Sequence, residues 1–441
     1  MFVGFIVKRL ITGKLVEWKE QKYRKPLILR GARQVGKSYS VLEFGVKHFN
    51  GNVHILDLEK RPELHRIFEK DLDVKRILSE MEIAVNKKIN IESDLVFIDE
   101  IQNCKRALSA LRYFYEDIPE LHIIAAGSLI EFALKDIAFP VGRVQILTMH
   151  PMNFLEFLIA HGKEINEEAI NTLPKVNQES LHNSILDELK KYFFVGGMPE
   201  VVKVFIETGS LKTAFEIQKN LVETFRQDFS KYAGRSDKNC LNDVFGASAK
   251  SVGKQIVYSH LSEGFTVPTI KKSFELLVDA KILTKIRSAS ASGLPLGASA
   301  SEKKFKAVFI DIGLMQQVCG LQANSEYSKQ DLLAIYRGAL AEQFVGQELL
   351  SAGNEELFYW SRDAKSSNAE VDYLIAKKGK VIPLEVKSGP SGKLRSLNLL
   401  LDNYKNIPRS YVLSMRQFSG DINKRVIFLP LYYAYQLGKV E

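Results

Sequence analysis

The segment Leu27–Ser38, LILRGARQVGKS, constrains this chain more than any other. Leu27, Ile28 and Leu29 read as a short buried strand, and Tyr39–His48 reads as a helix. Between them Gly31-Ala32-Arg33-Gln34-Val35-Gly36-Lys37-Ser38 fits G-x-x-x-x-G-K-[ST] at every fixed position. The glycines let the backbone turn tightly, so that successive N–H groups point inward at phosphate oxygens. The following helix adds its positive N-terminus to the same spot. Lys37 is suited to reach the β- and γ-phosphates, and the Ser38 hydroxyl to ligate Mg²⁺. The expected cofactors are therefore ATP and Mg²⁺, held by Gly31 through Ser38 together with Tyr39.

Five apolar runs alternate with helical stretches over residues 27–149: Leu27–Leu29, Val53–Leu58, Leu95–Ile98, His122–Ala126 and Val144–Leu147. Such alternation indicates a parallel sheet covered on both faces, with ligands bound outside the carboxyl ends of the strands. Glu63–Met81 reads as one helix. Leu95-Val-Phe-Ile-Asp99-Glu100 is a Walker B pattern. Asp99 is placed to hold the metal, and Glu100 to orient and activate water as the catalytic carboxylate. Ser128, after the fourth run, fits a γ-phosphate sensor and equally an N-cap with Glu131 three residues on. Arg143, opening the fifth run, fits a phosphate contact in its own subunit or a neighbour's, or a solvated arginine. Lys37, Glu100, Ser128 and Arg143 are thus the candidate catalytic residues.

Length and composition frame the rest. A chain of 441 residues exceeds one ordinary core, so two to four domains are expected. Hydrophobic content of 46% and charged content of 26% are those of a globular protein. No run approaches a membrane span, and the apolar N-terminus MFVGFIVKRL reads as structure rather than a signal peptide. Cys104, Cys240 and Cys319 are scattered, which fits a reducing cytosol. A net charge of +9 permits polyanion binding.

The set GARQVGKS, LVFIDEIQN, IIAAGSLIE and VGRVQILTMHPMNFLEF resembles the prokaryotic AAA-type ATPases that carry a C-terminal domain of unknown function. The resemblance implies ATP at Gly31–Ser38 and Mg²⁺ near Ser38 and Asp99, and strengthens Glu100, Ser128 and Arg143. It also implies an α/β multidomain fold: a P-loop NTPase sheet, a helical lid, a winged helix and a restriction-endonuclease-like domain. The boundaries expected are 1–149, 150–239, 240–320 and 330–441.

Residues 150–239 read as helices, broken at Phe194-Val-Gly-Gly-Met-Pro199. In the next segment Ser251–Leu261 and Pro268–Ala280 read as helices. Ile282–Ile286 and Phe305–Ile310 read as strands around a flexible loop, Ser288–Ser301. This is a winged-helix layout with Lys271, Lys272, Lys285, Arg287, Lys303, Lys304 and Lys306 where DNA would lie. The same layout serves protein docking, with lysines that only solubilise.

In the last segment Asp331–Ser351 reads as a long helix, and Leu357–Trp360, Tyr411–Leu413 and a hairpin over residues 370–387 read as strands. Pro383 needs an edge or a gap in the ladder. A turn at Lys378-Gly379 sets Asp372 opposite Glu385 and Glu370 opposite Lys387, all on one face. Facing carboxylates repel unless a cation lies between them. Glu342, Asp372, Glu385 and Lys387 resemble a PD-(D/E)xK nuclease site. The other reading leaves the acids in solvent, with Lys387 paired to Glu370.

The expected function is Mg²⁺-dependent ATP hydrolysis coupled to an act on DNA. The alternative is a nucleotide-gated protein-interaction switch with an inactive nuclease-like scaffold. ATP is the expected ligand, DNA and further copies of the chain are candidate partners, no membrane is involved, and the cytoplasm is the expected compartment.

Overall fold

The computed structural model describes residues 8–134, 142–174, 178–232, 235–321, 337–362, 369–387, 394–418 and 424–439. Contacts divide the chain into two units. One is Arg9–His150 with Asp279–Lys281; the other holds Pro151–Val278 and Ile282–Glu441.

The first unit is built on five parallel strands: β1 (Leu27–Arg30), β2 (Val53–Asp57), β3 (Leu95–Asp99), β4 (His122–Gly127) and β5 (Gln145–Thr148), in the order β2-β3-β4-β1-β5. β3 and β4 are buried along their whole length, as strands covered on both faces require. Helices Lys37–His48, Val74–Val85 and Lys105–Asp117 belong to the same unit. Ile77 and Met81 pack with Leu108, Leu111 and Phe114 against the strand residues Ile98 and Ile123. The helix expected over 63–81 is broken. A 3-10 turn, Pro62–His65, and a single turn, Arg66–Glu69, precede it. Asp73 then caps a new helix, its carboxylate accepting from the Lys75 and Arg76 N–H groups. A hydrophobic period alone does not reveal that cap.

The second unit opens with helices. Phe154–Ala160 starts at a capping box in which Asn153 and Glu156 satisfy each other's N–H groups. Glu179–Val195, Pro199–Thr208 and Leu211–Tyr232 follow, with Pro199 in the first turn of its helix. Asp311 accepts a hydrogen bond from the Gly197 N–H over 2.6 Å and so fixes the break between the first two of these. The helix expected at 251–261 is absent. That stretch is turns and a 3-10 segment, Tyr258–His260, while the helix lies earlier, at Arg235–Lys250.

A seven-stranded sheet organises the rest: β6 (Leu283–Ser288), β7 (Phe305–Phe309), β8 (Leu357–Ser361), β9 (Glu370–Lys377), β10 (Lys380–Lys387), β11 (Ser410–Ser414) and β12 (Val426–Pro430). The order is β12-β11-β10-β9-β8-β6-β7. β6 pairs in parallel with β8, so the two strands expected as a wing share a sheet with those expected in a separate last domain. The loop after β6 is packed rather than loose. Ala289 N–H donates to the Tyr359 carbonyl over 2.9 Å, and Ala291 and Leu296 lie in one core with Phe358 and Trp360. The helix expected at 331–351 begins outside the described residues; its described part is Arg337–Ser351.

Up to Tyr373 opposite Leu384 the hairpin register is the one expected, with Ala376 opposite Val381; the paired residues end there, short of the expected Asp372–Glu385 and Glu370–Lys387 pairs. Pro383 is tolerated within the sheet because the ladder toward β11 begins only at Leu384. β9 carries one extra residue against β8, since Phe358 pairs with Leu374 and Trp360 with Val371. This bulge lies at Asp372–Tyr373 and re-aims their side chains.

Candidate functional site

The P-loop leaves the carboxyl end of β1 and enters helix Lys37–His48. Gly36 has φ 95°, a left-handed conformation open to glycine. A Cβ on Gly31 would run into the Met149 carbonyl oxygen. Lys37 is 6% exposed, and its ammonium donates to the carbonyls of Gly31 (3.0 Å) and Ala32 (2.8 Å). It is therefore held at the concave side of the loop. Burial pulls its pKa down to about 8, against the attraction of Glu100 and Asp99. Of the other loop residues, Ala32 and Val35 are buried, Arg33 is half-buried, Gln34 is exposed with φ 63°, and Tyr39 is exposed on the first helical turn.

Ser38 Oγ donates to Asp99 Oδ2 over 2.6 Å. Burial raises the Asp99 pKa, and the Ser38 hydrogen bond opposes that rise. Glu100 follows with φ 49°, and its Oε2 accepts from the Gln102 amide over 2.5 Å. Ser128 is buried after β4; its hydroxyl accepts from Arg33 Nε over 3.3 Å. Arg30 lies opposite Gly127 in the sheet, so Ser128 stands at the same end as the loop.

Arg143 does not join this group in its own chain. β5 runs parallel to β1 with Gln145 opposite Leu27, so a residue that opens β5 lies at the amino ends of the strands. The P-loop lies at the carboxyl ends. Arg143 Nε instead pairs with Glu116 Oε1 over 2.9 Å.

Sequence reasoning missed two residues here. Gln102 steadies Glu100, and nothing in LVFIDEIQN marks it apart from its proximity. Arg9 is 5% exposed; its guanidinium donates to the carbonyls of Val35 and His150, each over 2.7 Å, and so anchors the loop from outside the motif.

In the second unit two of the four nuclease-like candidates, Glu342 and Asp372, gather around a lysine, and the other two, Glu385 and Lys387, pair with each other. Lys306, on β7, is 1% exposed. Its ammonium pairs with Glu370, with Glu342 Oε2 (3.2 Å) and with Asp372 Oδ1 (3.8 Å). Lys387 pairs with Glu385 over 2.5 Å, not with Glu370. Asp372 Oδ2 accepts from the Val386 N–H over 2.7 Å. Burial and the Asp372 charge push the Glu342 and Glu385 carboxyls up. Among the described residues no group of three or more His, Cys, Asp or Glu side chains is arranged to hold a metal ion.

The basic surface expected around the wing is also depleted. Lys306 is buried, Lys285 pairs with Glu275, and Arg287 pairs with Glu302 (2.8 Å) and Glu356 (2.5 Å). Lys271 and Lys303 are exposed. No helix among the described residues is long and apolar enough to cross a membrane.

Residues 23–158 match the family model described as an AAA domain. Residues 186–325 and 337–434 match two domains of unknown function, DUF8612 and DUF4143. No curated protein matches the chain. Among solved structures, a Walker-type ATPase of Pyrococcus abyssi is 16% identical with a TM-score of 0.45, covering 71% of this chain and 96% of that one. The Thermotoga maritima RuvB Holliday junction branch migration motor is 14% identical at a TM-score of 0.30, covering 63% and 88%. The Aeropyrum pernix Orc1 protein in complex with DNA is 11% identical at 0.30, covering 70% and 89%. The family match and the loop geometry agree on an AAA-type P-loop domain over residues 23–158.

Proposed function

We propose that the chain binds ATP with Mg²⁺ at Gly31–Ser38 and hydrolyses it. The observation that carries this is the Ser38–Asp99 hydrogen bond, which brings two hard oxygen donors from the two Walker patterns to one point. These donors fit Mg²⁺, and the loop's backbone N–H groups with the Lys37 ammonium fit a polyphosphate. When bound, the metal supplies positive charge to the phosphate oxygens and the leaving group. Lys37 supplies a further positive charge close to the loop. Glu100, steadied by Gln102, is the carboxylate that orients the attacking water and accepts its proton. Ser128 presents a hydroxyl at the same end of the sheet.

Two readings remain for what hydrolysis drives. The first couples it to DNA through the cations near β6 and β7. The second is a nucleotide-gated protein-interaction switch with an inactive nuclease-like scaffold. The ion pairs that engage Lys285, Arg287 and Lys306 favour the second. The test is ATP turnover with and without duplex and single-stranded DNA. Stimulation supports the first reading; indifference supports the second.

A further inference from the structure

The acidic cluster around β9 and β10 brings together four carboxylates, Glu342, Glu370, Asp372 and Glu385, and two ammonium groups, Lys306 and Lys387. Its geometry is that of a cation pocket already filled. Lys306 reaches it from β7, a strand far from the others in sequence, and touches three of the four acids. Its charge is expensive to bury, yet Glu342, Asp372 and Glu370 outweigh that cost and hold its pKa above the ordinary lysine value. Its ammonium lies 5.3 Å from the centre of the Tyr359 ring, so the aromatic face adds to its hold. Glu385 is 4% exposed, and its Oε2 has no hydrogen-bond partner. A buried carboxylate oxygen without a donor marks unmet demand for positive charge.

We infer that Lys306 is the resident cation of this pocket, that it excludes divalent metal from the wild-type protein, and that its removal opens a divalent-cation site on Glu342, Asp372 and Glu385. An ammonium and a divalent ion seek the same hard oxygens, and the two cannot share one centre. A tethered ammonium competes at a very high effective concentration. The pocket is then a junction joining β7, β9, β10 and helix Arg337–Ser351, in which carboxylates outnumber ammonium groups, and phosphodiester cleavage is not its task. This inference does not rest on the ATPase reading.

The test is Mn²⁺ binding, followed by electron paramagnetic resonance, to the full chain without nucleotide. The variant is Lys306→Met with Glu370→Gln, which removes one charge of each sign. Asp372→Asn in each background identifies binding at the pocket. Wild type should show no Asp372-dependent Mn²⁺ up to about 1 mM, and the double variant should gain one such ion with at least tenfold tighter affinity, on the order of the weaker oxygen sites. If the double variant unfolds by circular dichroism, Mn²⁺ should restore its fold; no recovery counts against the inference. Asp372-dependent Mn²⁺ in wild type would overturn the exclusion. A folded double variant that gains no ion would overturn the pocket.

Discussion

Ser38 and Asp99 stand 61 residues apart in the chain, yet the serine hydroxyl donates to the aspartate over 2.6 Å at the carboxyl ends of β1 and β3. The pair ties the two Walker patterns into one oxygen-lined point. Replacing Ser38 by Ala should leave the fold intact and raise the Mg²⁺ concentration needed for half-maximal turnover by about tenfold or more, as loss of one ligand does. A magnesium titration of ATP hydrolysis reads this directly. An unchanged half-saturation would remove Ser38 from the metal's surroundings.

Lys37 should make nucleotide binding sensitive to pH. Its folded pKa is lowered to about 8, so the free protein loses this charge as pH rises through 8, well below the ordinary lysine range. A bound polyphosphate favours the ammonium. ATP binding should therefore take up a proton near pH 8 to 9, and affinity should weaken as pH rises further. Calorimetry in buffers of different ionisation enthalpy measures the uptake. Lys37→Ala should abolish it and weaken affinity by about two orders of magnitude.

Glu348 gives a stability prediction of the opposite origin. It is 1% exposed; one oxygen accepts from the Phe154 N–H over 2.9 Å and the other has no partner. Burial pushes its carboxyl up to about 8. A folded pKa above the unfolded one means that the native state holds the extra proton between about pH 4.5 and 8, so stability falls as pH rises through that window. Asp311, raised to about 6 by burial, acts in the same direction. Glu348→Gln should flatten the slope and raise the melting temperature at pH 8 by a few degrees, on the order of 1–2 kcal/mol. Melting curves from pH 5 to 8.5 check this; a slope unaltered by the substitution would contradict it.

The packed loop after β6 offers a simpler check. Leu296 is 5% exposed and shares a core with Trp360 and Val371. Leu296→Ala should cost about 2–4 kcal/mol by chemical denaturation. A cost near zero would return the loop to the flexible segment that its Ser, Ala and Gly content implies.

Much of the first unit was legible because its signals are local. The P-loop is eight consecutive residues whose types dictate the backbone path, and β3 with Asp99 and Glu100 is one apolar run ending in two acids. Arg143 was misplaced because its neighbourhood was read without strand direction: in a parallel sheet, a residue that opens a strand lies opposite the loops that follow strands. In the second unit the hairpin, the break at Phe194–Pro199 and the strands at Phe305–Phe309, Leu357–Ser361 and Ser410–Ser414 were legible, because turns and apolar runs are local; that β6 and β7 join the same sheet as β8 to β12 was not. Lys306 was read as a surface cation because β7 looked like a wing. Its partners Glu342, Glu370 and Asp372 come from later in the chain, and no pattern along β7 announces them. β12 was missed outright, since VIFLP is a short apolar run with no alternation.

The measurement that bears most directly on the central claim is single-turnover ATP hydrolysis with Mg²⁺ by wild type and Glu100→Gln, alongside ATP affinity for both. Wild type should hydrolyse ATP only with the metal present. Glu100→Gln should bind ATP with nearly unchanged affinity and cleave it slower by about a hundredfold or more, having lost the carboxylate that orients and deprotonates water. Equal cleavage rates in the two proteins, or no metal-dependent hydrolysis by wild type, would contradict the account.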